Sequence, residues 1–381
     1  MPSLKIKRGT RAQLDAAAAA SGLKIGEPYL ITDENRLAIG TAADAYATAA
    51  KEGEAAGADV PGTAFIKTDP QSPAVTAPTG QTLSIKAGTL VAAGNATHNF
   101  AADTAVTLPT LVAGTDYAVY ACEDGALIAS ANWSAPDGYT TANSRKIGGF
   151  HYAPGGNAAA QAGGNTTPAI NPYSIWDLKF RPSCYDPRGM TLVADAFWAD
   201  IYLLGVDHHV NGSSRYNVVI ADGSALPNVP EKFGGNGSTV YSSLNWWVAG
   251  EVMRSHGKRL PTYSEFAALA YGTTEAVSGG TDPVSTILRA ESTSKWGVML
   301  STGNLWAWGD EFGGGGQLAA SWAANTIGRG STYLLSNAAL FGGLWRNGSN
   351  SGSRASYWNV SPADSSGDIG VRGVCDHVTL D

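Results

Sequence analysis

Few residues of this 381-residue chain combine a reactive type with a spacing that supports chemistry. The three cysteines, at positions 122, 184 and 375, are odd in number and include no close pair, so they indicate neither a disulfide framework nor a zinc site. A bridge between Cys184 and Cys375 is compatible with the sequence and stays open. The sequence also lacks GxSxG, the motif that presents a nucleophilic serine in many hydrolases.

Two further clusters contain residue types that bind metals. His208 and His209 are adjacent, and on a strand they would face opposite ways, which favours a solvated loop or a satisfied buried pair over a shared metal. Asp310 and Glu311 precede four glycines, where their carboxylates suit either a hard cation or the capping of a turn. We favour turn capping, and we predict no catalytic residue, no metal site and no cofactor.

The stretch from Phe341 to Val378 is rich in Gly, Ser, Asn, Trp and Arg and poor in aliphatic residues. Glycine and serine recur too often for a helix, whereas Trp345, Trp358 and Val371 are too apolar for a disordered tail. Loops and short strands on a rigid body fit this composition best. Such residues are typical of adaptable binding faces, and an ordinary loop-rich edge of a domain is the alternative.

If residues 344–350 are extended, alternate side chains share a face. One face then contains Trp345, Asn347 and Ser349, a large anchor and two small hydrogen-bonding residues that suit a scaffold. The residues of the opposite face share no chemical character, as expected where the fold does not require a particular residue type. The same reasoning applies on either side of Trp358 and between Pro362 and Gly370, and Tyr357 is the best candidate for a binding hot spot. The predicted exposed contact residues are Leu344, Arg346, Gly348, Asn350, Tyr357, Asn359, Val360, Asp364, Ser366, Asp368 and Ile369.

The composition limits the class of partner. A net charge of −7 and a pI near 5.4 argue against nucleic acid as the main partner. Charged residues make up 15% of the chain, below the usual share of about 25%, which favours a β-rich extracellular or virion protein. The start of the chain lacks a signal-peptide pattern and the longest apolar runs are too short to span a bilayer, so we predict no membrane insertion.

The length and patterning of the chain predict three domains. Residues 1–50 form a small β module, with a helix over 11–20 capped by Thr10 and a hairpin of 26–32 with 36–39. Its few apolar residues suggest assembly with copies of itself, and an appendage without a special role is the alternative. Short alternating runs at 63–67, 81–87, 105–108, 117–121 and 145–152 predict an antiparallel sandwich over 51–170, after a weakly helical stretch at 42–59.

Residues 171–381 form the third predicted domain, in which tryptophan is dense. Two helices are expected there, one over 244–256 capped by Ser243 and one after Pro261 with Thr262 and Glu265 as a capping box. The predicted fold class of the whole chain is α+β, mostly β.

Three segments of this domain, in order, resemble the formylglycine-generating-enzyme family, a variant of the C-type lectin fold. They are GKRLPTYSEF at 257–266, STGNLWAW at 301–308, and GGLWRNGSNSGSRAS at 342–356 followed by DIGVRGV at 368–374. The resemblance implies a C-type lectin fold. The third segment lacks the cysteine pair that the enzymes of that family use, so we do not expect their activity.

A narrower resemblance is to the tropism-determinant family of phage receptor-binding proteins. KRGT at 7–10, GEPYLITD at 26–33 and RLAIG at 36–40 also recur in the amino-terminal modules of tail-fibre proteins. The resemblance implies a homotrimer at the distal end of the virion's tail fibres, attached to other tail-fibre proteins, that binds a protein on the host bacterial outer surface. It also implies that the eleven contact positions are those that a diversity-generating retroelement varies.

Two other functions stay open from the sequence. One is a lectin-like module that binds a surface glycan, although Trp358-Asn359-Val360 and 226–228 lack the acidic residues of calcium-dependent lectins. The other is a degenerate enzyme of the formylglycine-generating family. Receptor binding without catalysis is the function that we predict.

Overall fold

The computed structural model describes residues 6–33, 36–48, 63–313, 322–324, 331–333 and 336–380. The chain forms two compact units, Met1–Ala64 and Phe65–Asp381. The described residues are mostly strand with a few short helices, which confirms the predicted class. None of the helices in these residues has the length and apolarity to cross a bilayer. The finer division into domains at 50 and 170 stays a prediction.

The first unit packs one helix against a small sheet of order β1-β2-β3-β4. The helix ends one residue earlier than predicted, and Thr10 and Gln13 form a capping box at its start. Leu14, Tyr29 and Ile31 are buried between helix and sheet. The elements are β1 (Lys7–Gly9), α1 (Arg11–Ala19), β2 (Pro28–Ile31), β3 (Arg36–Ala42) and β4 (Ala45–Thr48).

The predicted hairpin of the first unit is confirmed, because β2 pairs antiparallel with β3. The prediction of a weak helix after Ala42 is wrong over 45–48, where β4 adds to the sheet edge, and 49–59 lie outside the described residues. Along β3 the side chains alternate, so Ala38 is buried while Leu37 and Ile39 are exposed. This unit therefore presents apolar side chains on the surface of its sheet.

The second unit begins with three antiparallel sheets of order β5-β8-β9, β10-β7-β6 and β12-β11-β13-β14, with β15 also paired to β13. Each of the five runs predicted from alternation overlaps one of these strands. The strands are β5 (Phe65–Ile66), β6 (Val75–Thr79), β7 (Thr82–Ile85), β8 (Thr89–Ala93), β9 (Ala96–Phe100), β10 (Thr104–Ala105), β11 (Thr115–Cys122), β12 (Leu127–Ser130), β13 (Ser144–Ala153), β14 (Ala169–Ile170) and β15 (Trp176–Asp177).

The rest of this unit contains an antiparallel sheet of order β16-β25-β18-β17, a mixed sheet of order β23-β22-β19-β24, and the pair β20-β21. Helices α3 and α4 pack their apolar faces against these sheets. The elements are β16 (Phe180–Pro182), β17 (Met190–Val193), β18 (Phe197–Asp200), α2 (His208–Asn211), α3 (Trp246–Ser255), α4 (Tyr263–Leu269), β19 (Trp306–Gly313), β20 (Trp322–Ala324), β21 (Ser331–Tyr333), β22 (Asn337–Phe341), β23 (Ser356–Val360), β24 (Ile369–Gly370) and β25 (Val374–Thr379).

Both predicted helices of this region are present. The capping box of Thr262 and Glu265 at α4 is confirmed. The predicted cap of α3 is wrong by two residues, because the side chain of Asn245, not of Ser243, accepts the Val248 N–H. Ser and Asn are comparable caps, so only the tertiary position of Leu244, which is fully buried, decides where the helix begins.

Strand β13 joins the sandwich to the fold that follows. All its residues from Ile147 to Ala153 are buried, so both faces of this strand are covered. His151 lies at the joint, with Nδ1 2.9 Å from the Asp116 carboxylate and Nε2 2.9 Å from the Tyr202 hydroxyl. The same carboxylate accepts the Gly189 N–H. One buried polar network therefore fixes the two halves of this unit against each other.

Arg372 holds the centre of the C-terminal fold. Its guanidinium is fully buried and donates to the backbone carbonyls of Asp200 (2.7 Å), Ile201 (2.8 Å) and Met299 (2.6 Å). Burial lowers the pKa of Arg372 to about 10, so it stays charged at neutral pH. Charged donors to carbonyl groups form strong hydrogen bonds. Here they connect the segment that contains Arg372 to two others, at 200–201 and at 299.

We predict that Arg372→Ala lowers the free energy of unfolding by about 3–5 kcal/mol, because it removes three charge-assisted hydrogen bonds from the buried centre of the fold. The exposed Arg354 is the control, and Arg354→Ala is expected to change the free energy of unfolding by less than about 0.5 kcal/mol. Denaturant titration followed by tryptophan fluorescence measures both. Equal stability of the two variants would contradict this role of Arg372.

Candidate functional site

A surface pocket of about 630 Å³ opens beside β23 in the C-terminal fold. This volume is within the range of roughly 300–1,000 Å³ that is usual for ligand sites. We call it the candidate pocket. Of the eleven predicted contact residues, those that line it are Leu344, Asn350, Tyr357, Val360, Asp364, Ser366, Asp368 and Ile369.

The strand β23 positions the aromatic side of the pocket. It pairs antiparallel with β22, and along it Tyr357 and Asn359 are exposed while Trp358 is half-buried, as the predicted alternation requires. The ring of Tyr357, 46% exposed, stacks on Trp306, with ring centroids 6.0 Å apart and planes at 29°. A stacked aromatic pair with one exposed ring is a rigid apolar surface with a polar tip.

The prediction that all eleven contact side chains are exposed is wrong for the three that form the floor of the pocket. Leu344, Val360 and Ile369 are buried, at 6%, 8% and 4% exposure. Val360 and Ile369 belong to the apolar core under the sheet, and Leu340 of β22 adds to the same floor. These side chains therefore stabilise the fold from one side and line the pocket from the other.

The chain from Leu344 to Asn350 is not the predicted strand. The Leu344 N–H donates to the Asn347 side-chain oxygen (2.8 Å), which closes a turn, and residues 348–350 form a 3₁₀ helix. Gly343 and Gly348 have φ values of +88° and +55°, which an extended run does not contain. The alternation argument failed here because the glycines bend the backbone.

Three of the predicted residues do not line the pocket. Arg346, Gly348 and Asn359 are exposed in the segments that surround it. Arg346 forms an ion pair with Asp368, and its guanidinium lies over the Trp345 ring, 5.4 Å from the centroid. All eleven residues thus belong to one contiguous part of the fold, and their role in contact stays a prediction.

The anchors that the sequence indicated are separate from the pocket. Trp345 packs against the apolar cluster of Leu203, Leu300 and neighbouring residues, and Trp358 contacts Phe341 and Tyr263. Neither tryptophan is part of the pocket lining. Each tryptophan therefore packs into the core, while the residue next to it, Arg346 or Tyr357, is exposed on the surface.

The residues of the lining that sequence reasoning missed are Trp306, Leu340, Asn347, Ser356 and Ser365. The sequence could have indicated Trp306, because in the Trp-Ala-Trp strand it shares a strand face with Trp308, which is fully buried. A large aromatic residue at the end of such a strand is a candidate for a partly exposed site. No feature of the sequence indicated Ser365, whose hydroxyl accepts the Leu244 N–H (2.8 Å).

Comparisons with known proteins place this geometry in a family. A family model described as "Mtd second domain" matches residues 73–177. The chain is 57% identical over 332 residues to the "Tail fiber receptor-binding protein" of Bordetella phage BPP-1, covering 85% of this chain and 87% of that protein. Among solved structures, the "Major Tropism Determinant U1 Variant" is 52% identical with a TM-score of 0.84, and the P3c variant is 53% identical with the same TM-score; each covers 99% of this chain.

The cysteines and acids singled out by the sequence lie elsewhere. Cys184 and Cys375 are free thiols in one buried cluster, where their sulfurs approach Met190 Sδ at 3.3 and 4.0 Å, so the bridge left open by the sequence is not formed. Glu311 accepts the Tyr263 N–H at the start of α4. Within the described residues, no group of three or more His, Cys, Asp or Glu side chains could hold a metal ion.

The buried ring of His208 pairs with the half-buried ring of His256, not with that of its sequence neighbour. His208 Nε2–H donates to the Asn228 carbonyl (2.8 Å), so Nδ1 accepts from His256 Nε2–H (2.9 Å) and both rings are neutral. His209 is exposed. Burial, with the charge of Lys258 adding to it, lowers the pKa of His256 to about 3, and burial also lowers the pKa of His208.

We predict that this pair makes the fold less stable in acid. Between about pH 6.5 and 3 the unfolded chain binds a proton at His256 that the folded chain does not, so this contribution is complete above pH 6.5 and is lost as the pH falls. The denaturant midpoint should therefore decrease from pH 7 to pH 5, and it should decrease less in His256→Gln. Identical pH dependence of the two proteins would contradict the assignment.

Proposed function

Because this chain belongs to the major tropism determinant family of tail-fibre receptor-binding proteins, we propose that it binds a protein on the surface of a host bacterium through the candidate pocket and the exposed side chains around it. The observation that carries the proposal is the division between the pocket and its supports. Eight predicted contact residues line one pocket, whereas Trp345 and Trp358 pack into apolar clusters away from it. The exposed side chains of such a face can change without changing the fold, whereas its buried floor is part of the core.

The exposed polar and aromatic groups suit a protein partner. Tyr357 is a rigid, amphipathic and exposed residue of the lining, which is the usual character of a hot spot. Asn350 and Ser366 also line the pocket, and their polar side chains can pair with the backbone of a bound loop. A surface glycan is the second candidate, favoured by the lectin-like fold, but the sequence lacks the acidic calcium motif at Trp358-Asn359-Val360.

We further propose that the chain acts as a homotrimer at the distal end of the tail fibre and catalyses no reaction. Ile25, Leu37 and Ile39 of the amino-terminal unit are 79%, 45% and 52% exposed, which supports assembly of this unit with copies of itself or with other fibre proteins. In this proposal residues 1–50 attach and assemble, 51–170 act as a spacer, and 171–381 bind the receptor. Linked copies raise avidity by about 10²–10⁴-fold without new contacts.

We predict that Tyr357→Ala weakens single-site binding to the host surface by about 2 kcal/mol, which is about 30-fold, because it removes the exposed ring that stacks on Trp306. Tyr271→Ala is the matched control, since Tyr271 is equally exposed, at 47%, but does not line the pocket. Adsorption of virions that carry each variant, and titration of host cells with the purified chain, measure the effect.

Normal adsorption of the Tyr357→Ala virion, or equal loss in both variants, would contradict the proposed binding face. The same assay separates the two partner classes. Protease treatment of host cells should abolish adsorption, whereas deglycosylation should leave it intact. The opposite pattern would identify a glycan receptor and reject the protein partner.

A further inference from the structure

The floor and one wall of the candidate pocket are apolar. The floor is buried and aliphatic, and it consists of Leu340, Leu344, Val360 and Ile369. The wall consists of the stacked rings of Trp306 and Tyr357. The exposed parts of the Tyr357 and Trp306 rings give the pocket apolar surface, and covering this surface with an apolar group is favourable. At about 630 Å³ the pocket has room for one large side chain and part of its backbone.

The rim next to this floor is acidic. Asp364 is exposed, and among the described residues its carboxylate has no hydrogen-bond or ion-pair partner. Asp368, on the same rim, is already paired with Arg346. The positive charge of Arg346 is thus compensated, and Asp364 remains as the carboxylate that can pair with a ligand.

A further carboxyl group lies behind this rim. Asp222 is buried, and the N–H of the adjacent Gly223 donates to the Ser366 carbonyl (3.0 Å), so Asp222 lies under the segment that carries the rim. Burial raises the pKa of Asp222, and the negative charges of Asp282 and Asp368 add to this increase, so further negative charge is unfavourable here. The exposed carboxylate of Asp364 therefore favours a cation and disfavours an acidic partner.

We propose, on the basis of the proposed function, that the receptor segment is a protein loop that inserts one large apolar side chain, aromatic or aliphatic, into the candidate pocket and places a lysine or arginine against Asp364. The apolar side chain covers the floor and stacks beside Tyr357. The basic side chain supplies the positively charged partner that the Asp364 carboxylate lacks. Asn350 and Ser366 then meet the polar backbone groups of the loop.

The test is selection of a displayed library of disulfide-constrained random heptapeptides on the intact chain. Peptides enriched on the wild-type chain should contain Lys or Arg within two residues of an aromatic residue, Leu or Met. Asp364→Lys should weaken these peptides at least about tenfold, because it places like charges together. Asp137→Lys is the control, since Asp137 is an exposed acid of the sandwich outside the candidate pocket, and it should leave binding unchanged.

Enrichment of acidic or neutral peptides, equal binding to the wild-type and Asp364→Lys chains, or no enrichment at all would overturn the inference. Each of these results is distinguishable from failure of the proposed function. If adsorption still depends on Tyr357 while no basic preference is selected, the face binds its receptor but the receptor chemistry is different. If adsorption also survives protease treatment of the host, the partner is a glycan.

Discussion

The buried guanidinium of Arg372 and the backbone groups that it binds hold the C-terminal fold together without any contribution from the exposed face. Its three carbonyl acceptors come from two segments that are far apart in the sequence, at 200–201 and at 299. Ile369, which lies in the pocket floor, is only three residues before it. The floor is therefore tied to the core by hydrogen bonds to backbone atoms, which are the same whatever side chains the rim carries.

This arrangement explains why neighbouring residues have opposite roles. Trp345 packs into a core cluster while Arg346 is exposed, and Trp358 packs inward between the exposed Tyr357 and Asn359. A binding face that is built on such strands and turns can vary in charge and size at one position without disturbing the next. The side chains of this chain combine an apolar floor with an acidic rim, and that combination determines the chemistry of the partner that it suits.

The sequence predicted the parts of the fold in which local rules decide. The alternation of Tyr357, Trp358 and Asn359 and the capping box of Thr262 and Glu265 were predicted correctly because neither depends on distant contacts. The turn at 344–350 was missed because Gly343 and Gly348 adopt positive φ, which composition alone does not reveal. Val360 shares a strand face with Trp358, so the alternation itself indicates its burial, which the prediction of an exposed Val360 overlooked. The burial of Ile369 depends on β19, the strand that pairs with its own, and no single-strand pattern contains that information.

The central claim is that the stability of this fold is independent of its exposed face. A library that randomises Arg346, Asn350, Tyr357, Asn359 and Asp364 together, displayed and sorted for resistance to protease, tests this claim most directly, with a second library at Trp345, Trp358 and Arg372 for comparison. The account predicts that most members of the first library stay folded with little sequence preference, while survivors of the second return to the parent residues. Recovery of parent residues at the five exposed positions would contradict it.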